Sequence, residues 1–356
     1  MDQIPFISRP DDVTPEWLTA VLRAGGATDE GTVVEVQSRS VGTGQVGDSV
    51  RFTLTWDDAD AGPATVVGKF PTEDETSRAT ATAVRTYEVE TRFYQQLRGR
   101  VDIAAPVPYY AQIEMETHEF AILMNDLAPV EQGDQIAGCT PDQAALAVEE
   151  AAKLHAPLWD DSTLAGQDWL NRNSPEGLRG LVDMVWSGFL ERYDGRLDSE
   201  VVEAGSVLVE RLEAYVGHQP EHLTAVHGDF RLDNMLFDPS PGGVPLTVVD
   251  WQTVSHGAGV QDVAYFLGTG LEPGLRADVE QDLVREYLAT LRAGGVEDLS
   301  FEACWDQYRR YAFAGFVMAM ISSMIVGQTD RGDEMFMAMA NRSGRMAIDL
   351  DTLAML

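Results

Sequence analysis

The feature that most constrains this chain is a set of three oxygen-bearing side chains, Asp229, Asn234 and Asp250, carried by two short apolar segments. Residues 235–237 follow the asparagine directly, and the run 246–249, which is rich in β-branched residues, leads into the second aspartate. Because Pro and Gly residues fill the interval, the pattern predicts two strands of a hairpin, which would bring Asn234 and Asp250 close together. Carboxylate and amide oxygens gathered at strand ends suit a hard divalent cation and a hydroxyl nucleophile. A capped turn with solvated acids is the alternative interpretation.

The spacing of these residues is that of a kinase catalytic loop. The motif His-Gly-Asp-x-x-x-x-Asn, from His227 to Asn234, keeps the interval at which kinases place the aspartate that orients the attacking hydroxyl and the asparagine that binds Mg²⁺. Asp250, in Asp-Trp-Gln, stands where the kinase sequence Asp-Phe-Gly places its metal-binding aspartate. On these residues the sequence resembles the aminoglycoside phosphotransferase and choline-kinase-like family, and within it the ecdysteroid-kinase-like branch.

The resemblance implies both a fold and a reaction. The fold would be α+β, a two-lobed protein-kinase-like fold with a mixed N-terminal sheet and a mostly helical C-terminal lobe. The reaction would transfer the γ-phosphoryl group of ATP, or of GTP, to a hydroxyl group of a small molecule. Asp229 would align that hydroxyl and accept its proton, and Asn234 and Asp250 would bind Mg²⁺.

A glycine-rich segment with the pattern Gly-x-Gly-x-x-Gly, at Gly42, Gly44 and Gly47, precedes Ser49. In a dinucleotide-binding fold this pattern lies between a strand and a helix, whereas here strand-like alternation both precedes and follows it. The Rossmann interpretation is therefore disfavoured. The resemblance implies a hairpin, extending to Ser49, that covers the nucleotide phosphates with backbone N–H groups. A hairpin without a role in binding is the alternative.

A predicted strand over residues 64–70 carries Lys69, and a helix is predicted over residues 80–97. The resemblance implies that Lys69 neutralises the α- and β-phosphates of the nucleotide and that a glutamate of the helix holds it in place. Glu88 and Glu90 are both candidates, and the surrounding residues favour Glu90. A charged residue on an edge strand is the alternative interpretation of Lys69.

The composition becomes more polar near residue 125, where the chain is predicted to cross between lobes. The predicted domains are a nucleotide-binding lobe, residues 1–124, and a catalytic and acceptor-binding lobe, residues 125–356. In the fold implied by the resemblance the adenine edge bonds to backbone groups of the crossing. Met124, Asn125 and Leu127 are therefore the expected adenine contacts.

The second lobe is predicted to be helical. Thr140-Pro-Asp-Gln143 predicts a capping box that opens a helix ending at His155. This histidine is interpreted as a core residue with a backbone partner rather than as a ligand. Asp262 is predicted to cap a helix and to hold the catalytic loop. The Met-rich stretch 316–339 is interpreted as core packing, with a flexible acceptor pocket as the alternative.

Two features favour a small-molecule acceptor over a protein acceptor. Only 11 residues separate Asp250 from Asp262, and no Ala-Pro-Glu follows, whereas a protein kinase needs a longer activation segment there. Gly228 occupies the place of the arginine that pairs with activation-loop phosphate in protein kinases. A nucleotide-binding pseudokinase scaffold remains the alternative. The sequence does not separate a metabolite or natural product from an aminoglycoside-type antibiotic as acceptor, although we favour the former.

The charge of the chain excludes some partners. With 58 acidic and 25 basic residues, the formal net charge of −33 repels nucleic acid and anionic membrane surfaces. The most lipophilic run, residues 312–326, falls short of the roughly 20 residues that a membrane-spanning helix needs. The N-terminus lacks the apolar segment of a signal peptide, and Cys139 and Cys304 are too few for a disulfide framework or a zinc site. We expect a cytoplasmic protein that is a monomer or a homodimer.

Overall fold

The computed structural model describes residues 4–42, 47–172 and 174–356, and within it the chain folds into two units. The first unit contains Met1–Gly99, Ala105–Pro129 and Asp250–Thr253. The second contains Arg100–Ala104, Val130–Val249 and Val254–Leu356. The short segment that begins at Asp250 therefore belongs to the first unit, although most of its neighbours in sequence belong to the second.

The first unit is built on a five-stranded sheet with the strand order β1-β2-β3-β5-β4. The strands are β1 (Val33–Ser40), β2 (Gly47–Trp56), β3 (Thr65–Pro71), β4 (Pro108–Glu114) and β5 (Glu119–Asn125). Helix α1 (Pro15–Ala24), capped by Thr14, packs Trp17, Leu18 and Val21 into the same core as Phe52 and Phe70 of the sheet. These apolar faces alternate with polar ones along β2, as expected for a sheet with one buried face.

The prediction of a mixed sheet is wrong, because all the strand pairings of this sheet are antiparallel. Strand β5 forms a hairpin with β4 and inserts between β4 and β3. This order places Lys69 of β3 opposite Ser49 of β2 and Ile122 of β5.

The helix predicted over residues 80–97 is interrupted. Helix α2 (Glu75–Ala83), capped by Asp74, ends before Arg85, whose φ of +62° lies in the left-handed region. Helix α3 (Thr86–Arg92) then begins and continues into a wider π-helical turn, Phe93–Leu97. The break starts a separate short helix that carries both Glu88 and Glu90.

The second unit is mostly helical, as predicted. Its first helix is α4 (Pro141–His155), and its N-terminus forms the predicted capping box: the Thr140 hydroxyl accepts a hydrogen bond from the Gln143 amide, and the Gln143 side chain accepts one from the Thr140 amide. The helices that follow are α5 (Ser162–Ala165), α6 (Pro175–Arg192), α7 (Ser199–Glu210), α8 (Leu212–Val216), α9 (Val260–Gly270), α10 (Pro273–Ala293), α11 (Phe301–Arg310), α12 (Ala314–Ile325) and α13 (Asp330–Asp349).

Two small sheets hold the irregular part of the second unit. The predicted hairpin is confirmed: β8 (Met235–Phe237) pairs antiparallel with β9 (Leu246–Val248), and β6 (Glu131–Gln132) pairs with the other edge of β8. Strand β7 (Thr224–Val226) pairs antiparallel with β10 (Ser255–Gly257). The segment that connects β7 to β8 contains the His-Gly-Asp motif.

The Met-rich stretch contributes mainly to the core of the second unit. Met320 of α12 and Met335, Met337 and Met339 of α13 are all buried. Core packing is therefore the main use of these side chains. None of the helices described is both long enough and apolar enough to cross a membrane. The two cysteines are free: Cys304 is buried and Cys139 is half-buried.

Candidate active site

The segment between β7 and β8, residues 227–234, is called here the catalytic loop, and helix α9 fixes its beginning. One carboxylate of α9, Asp262, accepts hydrogen bonds from the backbone N–H groups of His227 at 2.6 Å and Gly228 at 3.0 Å. Gly228 has φ +81°, a conformation that favours glycine. Asp262 therefore holds the loop as predicted, but it lies in the first turn of α9 and is not its cap.

A buried histidine supports this carboxylate from behind. His155 contacts Asp262 Oδ2 through Nε2 at 3.2 Å and the Tyr287 hydroxyl through Nδ1 at 2.9 Å. The core position predicted for His155 is confirmed, since its side chain is fully buried. The prediction of a backbone partner is wrong, because both ring nitrogens face side chains. The sequence gives no signal for these partners, which lie 107 and 132 residues away.

The carboxylate of Asp229 is held by three side chains. Its Oδ1 accepts a hydrogen bond from the Tyr265 hydroxyl at 2.7 Å. Arg231 Nε lies 3.0 Å from both carboxylate oxygens, and Asn234 Nδ2 lies 2.9 Å from Oδ2. Tyr265 and Arg231 were not among the predicted site residues. Arg231 could have been found from its place inside the motif, whereas Tyr265 is brought in by α9.

These donors keep Asp229 ionised. Burial disfavours the charged carboxylate, but Arg231, the Tyr265 hydroxyl and His227 outweigh it, so the pKa of Asp229 is lowered from its usual value. Burial likewise disfavours the charged guanidinium, yet Asp229 and its neighbours raise the pKa of Arg231. The loop thus carries a carboxylate that accepts hydrogen bonds across the neutral pH range.

The amide of Asn234 is oriented by the loop itself. Its Nδ2 donates both to the backbone carbonyl of Asp229 at 2.9 Å and to the carboxylate of the same residue. Its backbone carbonyl accepts a hydrogen bond from the Val249 amide at 3.0 Å, directly beyond the paired residues of the hairpin. The nitrogen of the Asn234 side chain is engaged, whereas its Oδ1 atom makes no hydrogen bond within the part of the chain that the structure describes.

A second arginine supports the loop from α13. Arg331 donates to both carboxylate oxygens of Asp233, at 3.0 and 3.1 Å, and the Gln135 amide donates to the same group at 3.0 Å. Burial raises the pKa of Asp233, but the opposing effect of these donors and of the charge of Arg231 is larger. The pKa of Asp233 therefore lies below its usual value. Sequence reasoning missed this contact because it joins residues 98 positions apart.

The first unit contains the predicted lysine and its partners. Lys69 Nζ lies 2.6 and 2.8 Å from the carboxylate oxygens of Glu90 and 3.2 Å from Asp250 Oδ1. Of the two candidate glutamates it is Glu90 that pairs with the lysine. Glu88 points elsewhere and pairs with Arg85 at 2.9 Å.

The charge state of this cluster follows from its geometry. Burial disfavours the ammonium group, but the carboxylates of Glu90 and Asp250 outweigh it and raise the pKa of Lys69. Burial raises the pKa of Glu90, and the charge of Asp250 adds to this effect, while Lys69 opposes it. The lysine is therefore a permanent cation next to two acids.

The segment that carries Asp250 is anchored to the end of α3. Asp250 has φ +69°, a left-handed conformation that aspartate tolerates better than most residues. The next residue, Trp251, is fully buried and stacks on Phe93 with ring centroids 3.8 Å apart and planes 1° from parallel. Gln252 donates to Asp250 Oδ2 at 3.1 Å. Phe93 lies about one turn beyond Glu90. The same helix therefore positions both carboxylates that contact Lys69: it carries Glu90, and it holds Asp250 through the stack of Trp251 on Phe93.

The predicted glycine-rich hairpin is described only in part. Gly44 lies outside the described residues. Gly42 has φ +80°, and Gly47 begins β2, where a side chain at this position would approach the Phe70 carbonyl. Ser49 is the cross-strand neighbour of Lys69. Two of these predicted positions, Gly47 and Ser49, therefore pair with the strand that carries the lysine.

The predicted adenine contacts lie at the end of β5. Met124 is buried, and its sulfur lies 3.9 Å from the Tyr94 hydroxyl. The Asn125 side chain accepts a hydrogen bond from the Val107 amide at 2.6 Å, and Leu127 follows. The side chains of Met124 and Asn125 thus make contacts within the protein, so nucleotide contacts at these two residues would have to use the backbone. Asp126, held by Arg51, steadies this segment.

Comparison with known proteins places the chain in a family. The model of the phosphotransferase enzyme family matches residues 56–309, well over half of the chain. A mouse protein, acyl-CoA dehydrogenase family member 10, is 27% identical over 175 residues, and the match covers 44% of this chain but only 15% of that protein.

Solved structures share the fold. Choline kinase from Cryptosporidium parvum Iowa II superposes with a TM-score of 0.57 at 8% identity, covering 90% of this chain and 91% of that one. A microcompartment-associated aminopropanol kinase superposes with a TM-score of 0.53 at 16% identity, covering 95% and 100%. The predicted kinase-like α+β fold is thereby confirmed. The chain belongs to the phosphotransferase enzyme family.

Proposed function

We propose that this protein transfers the γ-phosphoryl group of ATP, or of GTP, to a hydroxyl group of a small molecule such as a metabolite, a natural product or an aminoglycoside-type antibiotic. The observation that carries the proposal is the catalytic loop, in which Asp229 is a half-buried, ionised carboxylate oriented by three side-chain donors. Phosphoryl transfer requires little covalent chemistry from the protein and depends on positioning and charge neutralisation.

Asp229 is the residue proposed to act on the acceptor. Its carboxylate would accept a hydrogen bond from the acceptor hydroxyl, align the oxygen with the phosphorus, and take the proton late in the transfer. The lowered pKa of Asp229 fits this order of events, because a weakly basic carboxylate orients a hydroxyl without removing its proton early.

The polar residues fit the Mg²⁺ that the family implies. Asn234 has its nitrogen engaged with Asp229, which leaves Oδ1 for a cation, and Asp250 offers a carboxylate. Asp250 follows Val249, whose amide is bonded to Asn234. These are the hard oxygen ligands that Mg²⁺ prefers. When bound, the ion would neutralise phosphate charge, and we propose Asn234 and Asp250 as its ligands.

Lys69 is proposed to bind the α- and β-phosphates of the nucleotide. Its ammonium group is held by Glu90, which fixes its position and keeps it charged. The backbone of the hairpin around Gly42 and Gly47 and the segment Met124–Leu127 are proposed to contact the phosphates and the base. These assignments rest on the motif and on the family.

A small acceptor is favoured over a protein. Choline kinase and aminopropanol kinase, which share the fold, are named for small hydroxyl-bearing substrates. Helix α9 begins at Val260, so only a short stretch follows Asp250 before the next helix. The long activation segment with which protein kinases bind their substrates has no counterpart there.

The proposal is tested by measuring ATP and GTP consumption across aminoglycosides, macrolides, amino alcohols, sugars and sterols. With an accepted substrate, Asp229→Asn should lower turnover by about 10²–10⁴-fold, the usual effect of removing a positioned base. Asp238→Asn, an aspartate in the turn of the nearby hairpin, serves as the matched control and should retain activity. Near-normal turnover by Asp229→Asn would contradict the proposal. Tight Mg-nucleotide binding without turnover on any acceptor would favour the pseudokinase scaffold.

A further inference from the structure

Two partners of Asp229 have no role in the reaction as described above. Tyr265 and Arg231 neither bind the nucleotide nor ligate the metal in the proposed mechanism, yet both touch the carboxylate on which it depends. The hydroxyl of Tyr265 lies 2.7 Å from Oδ1, and Nε of Arg231 lies 3.0 Å from both oxygens.

The position of Tyr265 on α9 links two contacts with the catalytic loop. Asp262 and Tyr265 are three residues apart, so their side chains lie on the same face of the helix. The first binds the backbone of the loop at His227 and Gly228, and the second binds the side chain of Asp229. A single rigid helix therefore fixes both where the loop begins and which way its carboxylate points.

Arg231 is itself held in place. Its Nη1 lies 3.1 Å from Asp233 Oδ2 and 3.4 Å from the sulfur of Met335 on α13. Asp233 is in turn bound by Arg331 of the same helix. The guanidinium thus contacts Asp229 with a fixed orientation, and a flexible lysine would not reproduce its bridging of both oxygens.

We propose that Tyr265 and Arg231 are positioning residues: the Tyr265 hydroxyl and the Arg231 guanidinium together fix the direction of the Asp229 carboxylate while the acceptor hydroxyl binds. This inference rests on the proposed function, since it concerns the same site. The three donors occupy much of the acceptor capacity of the carboxylate, which restricts the directions from which a substrate hydroxyl can donate to it. Acceptors would therefore be selected by the angle at which they present the hydroxyl.

The first test removes only the hydroxyl of Tyr265. Tyr265→Phe keeps the buried ring, and we expect kcat to fall about tenfold, as for the loss of one hydrogen bond to a charged group, with little change in KM for the nucleotide. Tyr308→Phe is the matched control: its buried hydroxyl bonds to Glu280 at 2.9 Å, away from the loop.

The second test separates the charge of Arg231 from its geometry. Arg231→Gln removes both the charge and the bridging contact, whereas Arg231→Lys keeps the charge but not the bridging contact. We expect both variants to lower kcat with little change in KM for the nucleotide, because the bridging contact is what positions the carboxylate. If Tyr265→Phe and Arg231→Gln fold normally and keep the wild-type kcat, the positioning role is excluded. A lower kcat that is fully explained by a lower fraction of folded protein would likewise exclude it, because a merely structural role predicts that result.

A readout without activity distinguishes this inference from the proposed function. In protein labelled with ¹³C at the aspartate carboxyls, the Asp229 signal is identified by its loss in Asp229→Asn. At a fixed pH of about 7 the chemical shift of this signal should change in Tyr265→Phe and Arg231→Gln, which remove hydrogen bonds to the carboxylate, but not in Tyr308→Phe. An unchanged signal overturns the inference even if the enzyme is active. A changed signal in a protein that phosphorylates no acceptor supports the contacts and contradicts the proposed function instead.

Discussion

At the scale of single residues, Glu88 and Glu90 show how two identical side chains, two positions apart, come to serve different purposes. Both are buried on α3. Glu90 faces the sheet and binds Lys69, whereas Glu88 turns back along its own helix to Arg85, with Arg92 at 3.7 Å. A helix turns about 100° per residue, so a separation of two residues places the carboxylates on nearly opposite faces.

This pair provides a prediction with an internal control. Glu90→Gln keeps the shape of the side chain but removes the charge that holds Lys69, so we expect a higher KM for the nucleotide and a kcat lowered about tenfold or more. Glu88→Gln removes an equally buried carboxylate and should leave both constants near wild type. The measurement is steady-state kinetics with varied Mg-nucleotide, with thermal unfolding as a check on folding. Equal kinetic losses in the two variants would refute the assignment of Glu90.

At the scale of secondary-structure elements, short sequence patterns predict those elements whose contacts join residues close together in the sequence. The capping box at Thr140 and the hairpin before Asp250 were predicted from residues within a few positions of each other, and both form. The break at Arg85 was missed because arginine carries no signal for a left-handed conformation, and the sequence around it reads as a continuous helix. The tertiary environment around α3 decides that break.

The anchoring of the Asp250 segment by an aromatic stack yields a second prediction. Trp251 is fully buried against Phe93. Trp251→Ala should lower the free energy of unfolding by about 3–5 kcal/mol, the usual cost of emptying a buried aromatic site. Trp251→Phe should cost less, because a stacked ring remains. Urea unfolding followed by circular dichroism measures both.

The control for this stack is Trp305, which is only partly buried and stacks on Tyr308 with centroids 5.1 Å apart. Trp305→Ala should cost clearly less than Trp251→Ala, because less apolar area returns to water. A Trp251→Ala protein as stable as the wild type would show that the stack does not anchor the segment.

At the scale of the whole molecule, the contacts that complete the site were beyond sequence reasoning. The motif predicts Asp229, Asn234 and Asp250, but not Tyr265, which reaches Asp229 only because α9 packs against the loop. The mixed sheet was wrong for a similar reason, since strand order is set by packing among distant segments. Family resemblance supplied the fold class, and the motif supplied the reacting groups. The partners that orient those groups come from the tertiary structure.

Net charge, which is a property of the whole chain, predicts a dependence of stability on salt. With a net charge of −33, the folded state repels itself, and about 0.15 M salt screens such repulsion beyond roughly 8 Å. We expect the urea midpoint at pH 7 to rise when sodium chloride is increased from about 10 mM to about 150 mM. An equal osmolality of sucrose is the control for solvent effects. A midpoint that falls with salt would show that attractive ion pairs dominate over the repulsion.

Acid unfolding should be governed by the aspartates that arginines hold. Burial disfavours the charged forms of Asp229, Asp233 and Asp126, but their arginine partners outweigh it, and the pKa of each is lowered from the usual value of 3.8. A carboxyl group whose pKa is lower in the folded state stabilises the protein fully above its unfolded pKa. That stability is lost as the pH falls through the folded pKa. These groups should therefore contribute constantly between pH 7 and pH 5, and the free energy of unfolding should fall below about pH 4. Asp233→Asn should make the free energy of unfolding fall less steeply below about pH 4, because one titrating group is gone. If the free energy of unfolding of Asp233→Asn falls with pH as that of the wild type does, other carboxylates cause the acid unfolding.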